Sequence, residues 1–282
     1  MNSPTSEDKP FVTVIDASAK FGWWNYLQEV WFYRDLFYFL VWRDLKTRYA
    51  QSVLGIGWAI IQPLFSMLVF TVVFGNMARI SSDGVPYAIF SFAALVPWTY
   101  FSGALTGAGG SLITARGIIT KVYFPRIIVP LVAVTGKLWD FGVGLIVLFA
   151  MMVYFGFGVT PQMLLLPMVT ILMILAASGI GMWVTALAIQ YRDISYSLGF
   201  VIQLLMYASP VVYPTSMVPE RFQFLYNLNP MTSVIESFRS ILLSTNPIPW
   251  DGLAIGLFVS LLLSVSGAVY FIGMERKFAD VV

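Results

Sequence analysis

Six long apolar segments dominate this chain of 282 residues and restrict what it can fold into. They cover residues 54–77, 87–112, 128–155, 163–189, 197–213 and 253–273. A helix needs about 20 apolar residues to cross the hydrocarbon core of a bilayer, where lipid offers no partner to unpaired backbone groups. The segments therefore predict an all-α integral membrane protein with six transmembrane helices. The fifth segment is the shortest and ends at a pair of prolines, Pro210 and Pro214.

Basic residues are distributed unevenly between the two sides of this arrangement. Twelve of the 16 lysines and arginines precede the first segment, lie between segments two and three or four and five, or follow the sixth. Positively charged loops tend to stay in the cytoplasm. We therefore expect a multi-pass protein with both termini in the cytoplasm, which an even number of spans also requires.

The residues before the first span divide into a polar tail, 1–24, and an aromatic-rich stretch, 25–52. Tryptophan and tyrosine concentrate at the boundary between membrane and water. We expect residues 25–52 to form an amphipathic helix lying in the cytoplasmic interface of the membrane. The alternative is a helix that packs on the cytoplasmic flank of the protein itself.

Residues 214–250 join the fifth and sixth spans and are too apolar for an ordinary loop. Pro219 and Pro230 are suited to open short helices, and Asn229 is a good N-cap for the second one. Two re-entrant helices on the outer side would form an outer gate, while the alternative is a surface loop of two amphipathic helices. The side chains expected at this gate are Pro210, Pro214, Phe222, Phe224, Tyr226 and Pro230.

Several classes of function are excluded or disfavoured by residue types that the chain lacks. Cysteine and histidine are absent, so no disulfide, thiol nucleophile, Cys/His metal site or Ser-His-Asp triad can form. No Walker A loop, DxD pair or acidic cluster is present, and a net charge of +2 gives no sign of nucleic-acid binding. We expect no metal site, no cofactor and no enzymatic activity of the chain's own, so that any transport energy comes from a partner.

Lys137 and Asp140 lie one helical turn apart near the middle of the third span. Ionisable groups at that depth are costly and usually face a partner or a wet cavity. One interpretation places this pair on a translocation path. The other is a self-neutralising pair that holds helices together.

Five sequence elements, in order, resemble those of ABC-2 type permeases, especially the exporters of polysaccharides and polyol phosphates. They are RDLKTRYAQSVLGIGWAIIQPL at 43–64, KVYFPR at 121–126, YRD at 191–193, SPVVYP at 209–214, and NLNPM with a following Phe-Arg pair at 227–231 and 238–239. The resemblance implies a transmembrane domain over 53–282 that works as a homodimer in the bacterial inner membrane, with two copies of a separate ATPase holding ATP and Mg²⁺. It also implies a lipid-linked glycan as substrate, such as O-antigen, capsule or teichoic acid precursors, in contact with membrane lipid. An ABC-2 drug or lipid exporter, an ion-coupled carrier and a membrane enzyme are the alternatives.

With this resemblance, two sets of residues become candidates for function. ATP binding must be transmitted through cytoplasmic contacts, and the set expected to dock or couple to the ATPase is Arg43, Arg48, Arg116, Lys121, Tyr123, Phe124, Pro125, Arg126, Tyr191, Arg192 and Asp193. Sugar rings stack on aromatic side chains, and the set expected along the translocation path is Trp58, Phe65, Tyr207, Lys137 and Asp140. Trp58 and Phe65 are seven residues apart and share a helix face.

Overall fold

The computed structural model describes residues 22–50, 55 and 57–281, without the side chains of 276–281. Most of the predicted polar tail, and residues 51–54 between the predicted interfacial helix and the first span, lie outside the described residues. Eleven α-helices and no strand occur in the part of the chain that is described, which confirms the all-α prediction. They are α1 (Trp23–Phe32), α2 (Arg34–Tyr49), α3 (Gly57–Phe70), α4 (Tyr87–Ile119), α5 (Ile128–Gly136), α6 (Leu138–Phe155), α7 (Leu166–Gln190), α8 (Arg192–Tyr207), α9 (Glu220–Asn227), α10 (Pro230–Leu243) and α11 (Trp250–Val281).

Among the described residues, five segments are long and apolar enough to cross a membrane. They are Gly57–Met77, which is α3 with a π-helical end, Tyr87–Ile119, Ile128–Phe155, which joins α5 and α6, Pro161–Gln190, and Trp250–Glu275. These five agree with five of the six predicted spans. The predicted fifth span is α8, whose 16 helical residues extend about 24 Å, less than the hydrocarbon core of about 30 Å.

The aromatic-rich stretch before the first span is two helices rather than the single one predicted. The backbone leaves helical geometry at Tyr33, although hydrogen bonds continue on both sides of this residue, from Tyr33 N–H to Glu29 and from Phe37 N–H to Tyr33. Leu40 of α2 is buried in an apolar cluster with residues of α4, α5, α7 and α11. Trp24 and Trp31 of α1 remain exposed. The two helices therefore pack on the protein and also present aromatic rings outward.

The two helices between α8 and α11 differ sharply in burial. All 14 residues of α10 are buried, while α9 has no buried residue. Helix α10 begins as predicted, with Pro230 in its first turn and the Asn229 side chain accepting a hydrogen bond from the backbone N–H of Met231 at 3.0 Å. At 14 residues it extends about 21 Å, so it is too short to cross a membrane and is enclosed by protein.

Helices α7 and α11 approach each other so closely that one glycine on each is required. A Cβ on Gly179 would lie 2.6 Å from the backbone carbon of Leu263. A Cβ on Gly267 would lie 2.5 Å from the carbonyl oxygen of Gly179. Small residues allow such close contact between helices in lipid, where van der Waals packing replaces the hydrophobic driving force.

Candidate functional site

A groove of about 600 Å³ runs along one face of α4, between α2, α3, α5 and α6. We call it the central groove. At 1.5 Å per residue, Val96 and Ile118 at its two ends on α4 are about 33 Å apart, similar to the thickness of a bilayer core. Its remaining lining residues include Leu40, Arg43, Asp44, Arg48, Trp58, Gln62, Pro63, Thr99, Ser102, Gly103, Thr106, Gly107, Ser111, Thr114, Phe124, Ala133, Lys137, Asp140 and Gly144.

Hydroxyl groups line the α4 wall of the central groove. Thr99, Ser102, Thr106 and Thr114 recur on one face of the helix. Each donates its hydroxyl proton to a carbonyl three or four residues earlier, at 2.8–3.2 Å. Their oxygen lone pairs and the amide of Gln62 are therefore open to the groove. Sequence reasoning missed this wall, although the spacing of Ser and Thr within the second span was the signal.

A network of charges centred on Asp140 lies along the groove, where Lys137 packs against Gly103 of α4. Lys137 Nζ lies 3.1 Å and Arg48 Nη1 3.2 Å from the Asp140 carboxylate, and the Tyr49 hydroxyl donates to the same group. Arg48 Nη2 also pairs with Asp44 at 2.5 Å. Burial raises the pKa of Tyr49 to about 12, and its hydrogen bond to Asp140 contributes to the shift. Lys137 and Asp140 therefore form an ion pair within one span, as the self-neutralising interpretation proposed. The two residues also line the central groove, where the other interpretation placed them on a translocation path.

Arg48 was assigned to ATPase docking from sequence, and the structure places its side chain beside Asp140, one of the expected path residues. Its Nη1 donates to the Gly136 carbonyl at 3.4 Å as well as to Asp140, so α2 is held to the break between α5 and α6. Arg43 lines the same groove. The two arginines from the N-terminal segment therefore share this groove with Lys137, and Asp44 and Asp140 offset part of their positive charge.

The three aromatic residues expected on the path lie in different places. Trp58 lines the central groove. Phe65, on the same helix, is exposed and is not among the groove residues, and Tyr207 at the end of α8 is half exposed. The structure therefore brings Trp58 together with Lys137 and Asp140 and leaves Phe65 and Tyr207 outside this group.

The predicted docking loop between α4 and α5 has an exposed part and an anchored part. Arg116, Lys121 and Tyr123 are exposed, as are Tyr191, Arg192 and Asp193 at the junction of α7 and α8. Phe124 and Pro125 are buried. Arg126 binds α11, because its backbone N–H donates to the Glu275 carboxylate at 2.9 Å and its Nη1 donates to the Glu275 carbonyl at 3.0 Å.

Tyr26 of α1 completes this anchor at the same end of the bundle. Its hydroxyl donates to the second carboxylate oxygen of Glu275 at 3.2 Å. Burial raises the pKa of Tyr26, and the nearby Glu275 carboxylate raises it further, so the phenol keeps its proton. The anchor ties α1, the α4–α5 loop and α11 into one unit.

The residues expected at the outer gate lie around α9 and α10. Pro210, Pro214 and Pro230 are buried, and Phe222 and Phe224 are exposed. The Tyr226 hydroxyl donates to the Tyr213 hydroxyl at 3.0 Å. Burial raises the pKa of Tyr226, and the hydrogen bond with Tyr213 adds to the shift.

Arg239 of α10 holds this region together and was not among the predicted gate residues. Its side chain is 1% exposed, and its Cζ lies 3.5 Å from the centroid of the Phe90 ring. It donates to the carbonyls of Phe90 at 3.3 Å and Val211 at 2.9 Å, and to the Glu236 carboxylate at 3.4 Å. Arg239 therefore joins α10 to α4 and to the proline-rich segment after α8. The Phe-Arg pair at 238–239 in the sequence was the available signal.

Comparison with known proteins places these features in a family context. Residues 35–243 match the family model described as ABC-2 type transporter. An O-antigen export system permease protein, RfbA, of Klebsiella pneumoniae is 28% identical over 252 residues, covering 88% of this chain and 95% of the relative. The protein of the same name from Myxococcus xanthus is 29% identical over 217 residues, 76% of this chain and 83% of its own. The polysialic acid transport protein KpsM of Escherichia coli is 22% identical over 201 residues, 70% of this chain and 77% of its own.

Proposed function

Since the chain belongs to the ABC-2 type transporter family, we propose that it is the permease subunit of an ATP-driven exporter that moves a lipid-linked polysaccharide out of the cytoplasm. The relatives that are 28% and 29% identical to it are O-antigen export permeases. An O-antigen-like glycan is therefore the first expectation for the substrate, and a capsule or teichoic acid precursor is the second. The protein is a multi-pass membrane protein, and the bacterial inner membrane is its proposed location.

The observation that carries this proposal is the hydroxyl-lined wall of the central groove. A groove about as long as the bilayer core is thick, with hydroxyls, an amide and Trp58 along it, offers a sugar both hydrogen bonds and a ring to stack on. The three basic residues Arg43, Arg48 and Lys137 outnumber the two acidic residues of the lining, and this excess positive charge suits the phosphate of a lipid carrier. A site selective for apolar drugs would be lined mostly by apolar and aromatic side chains.

Six spans follow if α8 and the residues after it cross the membrane together. Leu198 of α8 packs at Gly109 of α4, since a Cβ there would lie 2.7 Å from Leu198 Cδ2. Beyond α8, the Val212 carbonyl accepts a hydrogen bond from the hydroxyl of Tyr87, the first residue of α4, at 2.6 Å. Segment 192–213 thus runs antiparallel to α4 towards its start. Its non-helical end is buried in protein, the condition under which such backbone is tolerated at membrane depth.

On this topology, the end of the bundle that carries α1 and α2 faces the cytoplasm and the end that carries α9 and α10 faces outward. Both chain termini then lie in the cytoplasm, as the distribution of basic residues indicates. Helix α10 is the re-entrant helix of the outer gate. Helix α9, with Phe222 and Phe224 exposed, lies at the surface of the outer leaflet.

A second copy of the chain would close the central groove into a pore. The groove is partly open, and α3 beside it has only Pro63 and Met67 buried, with Phe65, Leu68 and Val69 exposed. An apolar face of this kind in a membrane protein contacts lipid or another helix. We place the homodimer contact at this face of α3.

Energy for export comes, on this proposal, from two copies of a separate ATPase that hold ATP and Mg²⁺. The exposed residues Arg116, Lys121 and Tyr123, with the neighbouring segment 191–193, form its docking surface. The Arg126–Glu275 anchor lies directly behind this surface. Movement of the loop is therefore transmitted to α11 and α1.

Export in cells tests the proposal. Deleting the gene from its own bacterium is expected to remove the polysaccharide from the cell surface and cause it to accumulate inside, measured by labelling intact and opened cells. Ser102→Ala with Thr106→Val, which removes two groove hydroxyls, is expected to reduce the rate of export several-fold. The matched control is Thr170→Val, because that hydroxyl also bonds to a carbonyl four residues earlier but lies outside the groove. Unchanged surface polysaccharide after deletion would refute the proposal.

A further inference from the structure

A second cavity, of about 300 Å³, lies at the α9–α10 end of the bundle, apart from the central groove. We call it the outer cavity. It is partly open and is bordered by the turn after Pro214, by α9, by α10 and by the start of α11. Its polar lining residues are Thr215, Ser216, Gln223, Asn227, Thr232, Ser233, Glu236, Ser240 and Asn246, and the others are Pro247, Pro249 and Gly252.

Several of these polar groups are available to a ligand. Among the described residues, the side-chain amides of Gln223 and Asn227 have no hydrogen-bond partner, and they lie four residues apart on one face of α9. The Thr215 hydroxyl is buried and has no partner there either. Glu236 Oε1 accepts from Arg239 and from the Thr215 N–H, which leaves its other oxygen for the cavity. The amides of Gln223 and Asn227 are at least partly exposed, because α9 has no buried residue. The buried Thr215 hydroxyl is the group that calls for a polar ligand, since buried polar groups are normally satisfied.

The rim of the outer cavity is held in shape by Asp83, from the loop between α3 and α4. One Asp83 oxygen accepts from Ser216 Oγ at 3.3 Å, and the other accepts from the Asn246 side-chain amide at 2.9 Å. Asp83 has a φ of 53°, in the left-handed region that a residue other than glycine occupies at a cost. These contacts retain the strained conformation and bridge two walls of the cavity, which therefore keeps its shape before a ligand arrives.

The chemistry of the lining excludes several classes of ligand. Glu236 is the one charged group among the described residues of the lining, and its carboxylate would repel an anion such as phosphate. A divalent cation prefers several carboxylates, whereas Glu236 already shares an oxygen with Arg239. A lipid chain would find no large apolar side chain among the lining residues that the structure describes. Amides, hydroxyls and one carboxylate oxygen are the groups that pair with the neighbouring hydroxyls of a sugar.

We propose that the outer cavity is a binding subsite for one sugar ring that carries no acidic group. Its volume is at the lower limit for small-molecule sites, which suits a single ring. Gln223, Asn227 and Glu236 bind the ring hydroxyls, and Pro247 and Pro249 contact its C–H faces. The role of this subsite in transport rests on the proposed function, in which the ring belongs to the glycan leaving through the outer gate. The subsite holds the emerging chain and opposes its return.

Direct binding to the purified full-length chain in lipid nanodiscs tests the subsite without the ATPase. The probes are the methyl glycosides of glucose, galactose and mannose, with glucuronic acid as the acidic comparison. Binding is measured by saturation-transfer NMR with each probe at up to about 10 mM, a concentration at which millimolar dissociation constants are detected. At least one neutral glycoside is expected to bind, and glucuronic acid is expected not to bind. Gln223→Ala with Asn227→Ala is expected to weaken binding at least about tenfold.

Gln162→Ala is the matched control, because this exposed amide lies at the same end of the bundle but outside the cavity. It is expected to leave binding unchanged. Failure of all three neutral glycosides to bind, equal binding of glucuronic acid, or full binding by the double variant would overturn the subsite. Each of these results concerns sugar binding by the purified chain, whereas the proposed function is tested by export from cells. The subsite can therefore fail while the wild-type chain still exports the polysaccharide, and the two failures are distinguishable.

Discussion

Replacing Arg239 by methionine is expected to destabilise the outer half of the bundle strongly. The guanidinium is 1% exposed, and its partner Glu236 is 8% exposed. Removing the cation leaves the carboxylate buried without its counter-charge and takes donors from the carbonyls of Phe90 and Val211. Breaking a buried ion pair on one side costs about 3–5 kcal/mol.

The same reasoning predicts a rescue. Most of the cost in Arg239→Met comes from the unpaired Glu236 carboxylate, so Glu236→Gln added to it is expected to restore stability by about 1–3 kcal/mol. The measurement is thermal unfolding of the purified permease in detergent, where about 3–5 kcal/mol corresponds to a fall in Tm of roughly 10 °C on the scale of soluble domains.

Arg221→Met provides the matched control for this double-mutant cycle. Arg221 also lies over a phenylalanine ring, with its Cζ 4.7 Å from the centroid of Phe222, but it is exposed on α9. An exposed cation–π contact is worth only about 0.5–1 kcal/mol. If Arg239→Met melts within a degree or two of wild type, or if Glu236→Gln gives no rescue, the buried pair does not hold α10 in place.

Three further predictions concern the groove, the helix contact and the docking surface. Asp140→Asn removes the carboxylate that pairs with Lys137 and leaves Arg48 with Asp44 alone, and it is expected to cost about 1–3 kcal/mol, measured by thermal unfolding; an unchanged Tm would show that the network adds no stability. Gly179→Ala places a Cβ 2.6 Å from the α11 backbone and is expected to cost at least about 1–3 kcal/mol, whereas Gly110→Ala, which meets nothing within 4 Å, is expected to cost nothing. Arg116→Glu with Lys121→Glu is expected to lower the amount of glycan exported per ATP hydrolysed in the reconstituted complex, without changing the amount of inserted permease; unchanged coupling would exclude the docking role.

The spans could be predicted from sequence because the bilayer imposes a length on each of them. Five predicted segments coincide with helices long enough to cross. The segment at 197–213 gave a weaker signal, since its helix ends at Tyr207 and the rest depends on hydrogen bonds from Tyr87 and Arg239, far away in the sequence. Hydrogen bonds between residues far apart in the sequence produce no periodic pattern in the local sequence, so they cannot be predicted from it.

Single residues of the candidate site were harder to place than spans. Arg48 and Arg126 were both assigned to docking because they are basic and adjoin the membrane. The structure has Arg48 paired with Asp140 and Arg126 bound to Glu275. Each partner lies about 90 or more residues away. A charge in a sequence therefore predicts the side of the membrane better than it predicts the partner.

The sequence by itself determined the class of the protein, the position of most spans, the expected orientation and, through five ordered elements, the family. Each of these depends on local composition, because transfer into lipid acts on every segment separately. Only the tertiary structure decided that hydroxyls of α4, Trp58 and the Asp140 network share one groove, and that α10 is enclosed around Arg239. The physical reason is that buried polar groups must find partners, and those partners come from whichever helices the packing brings together.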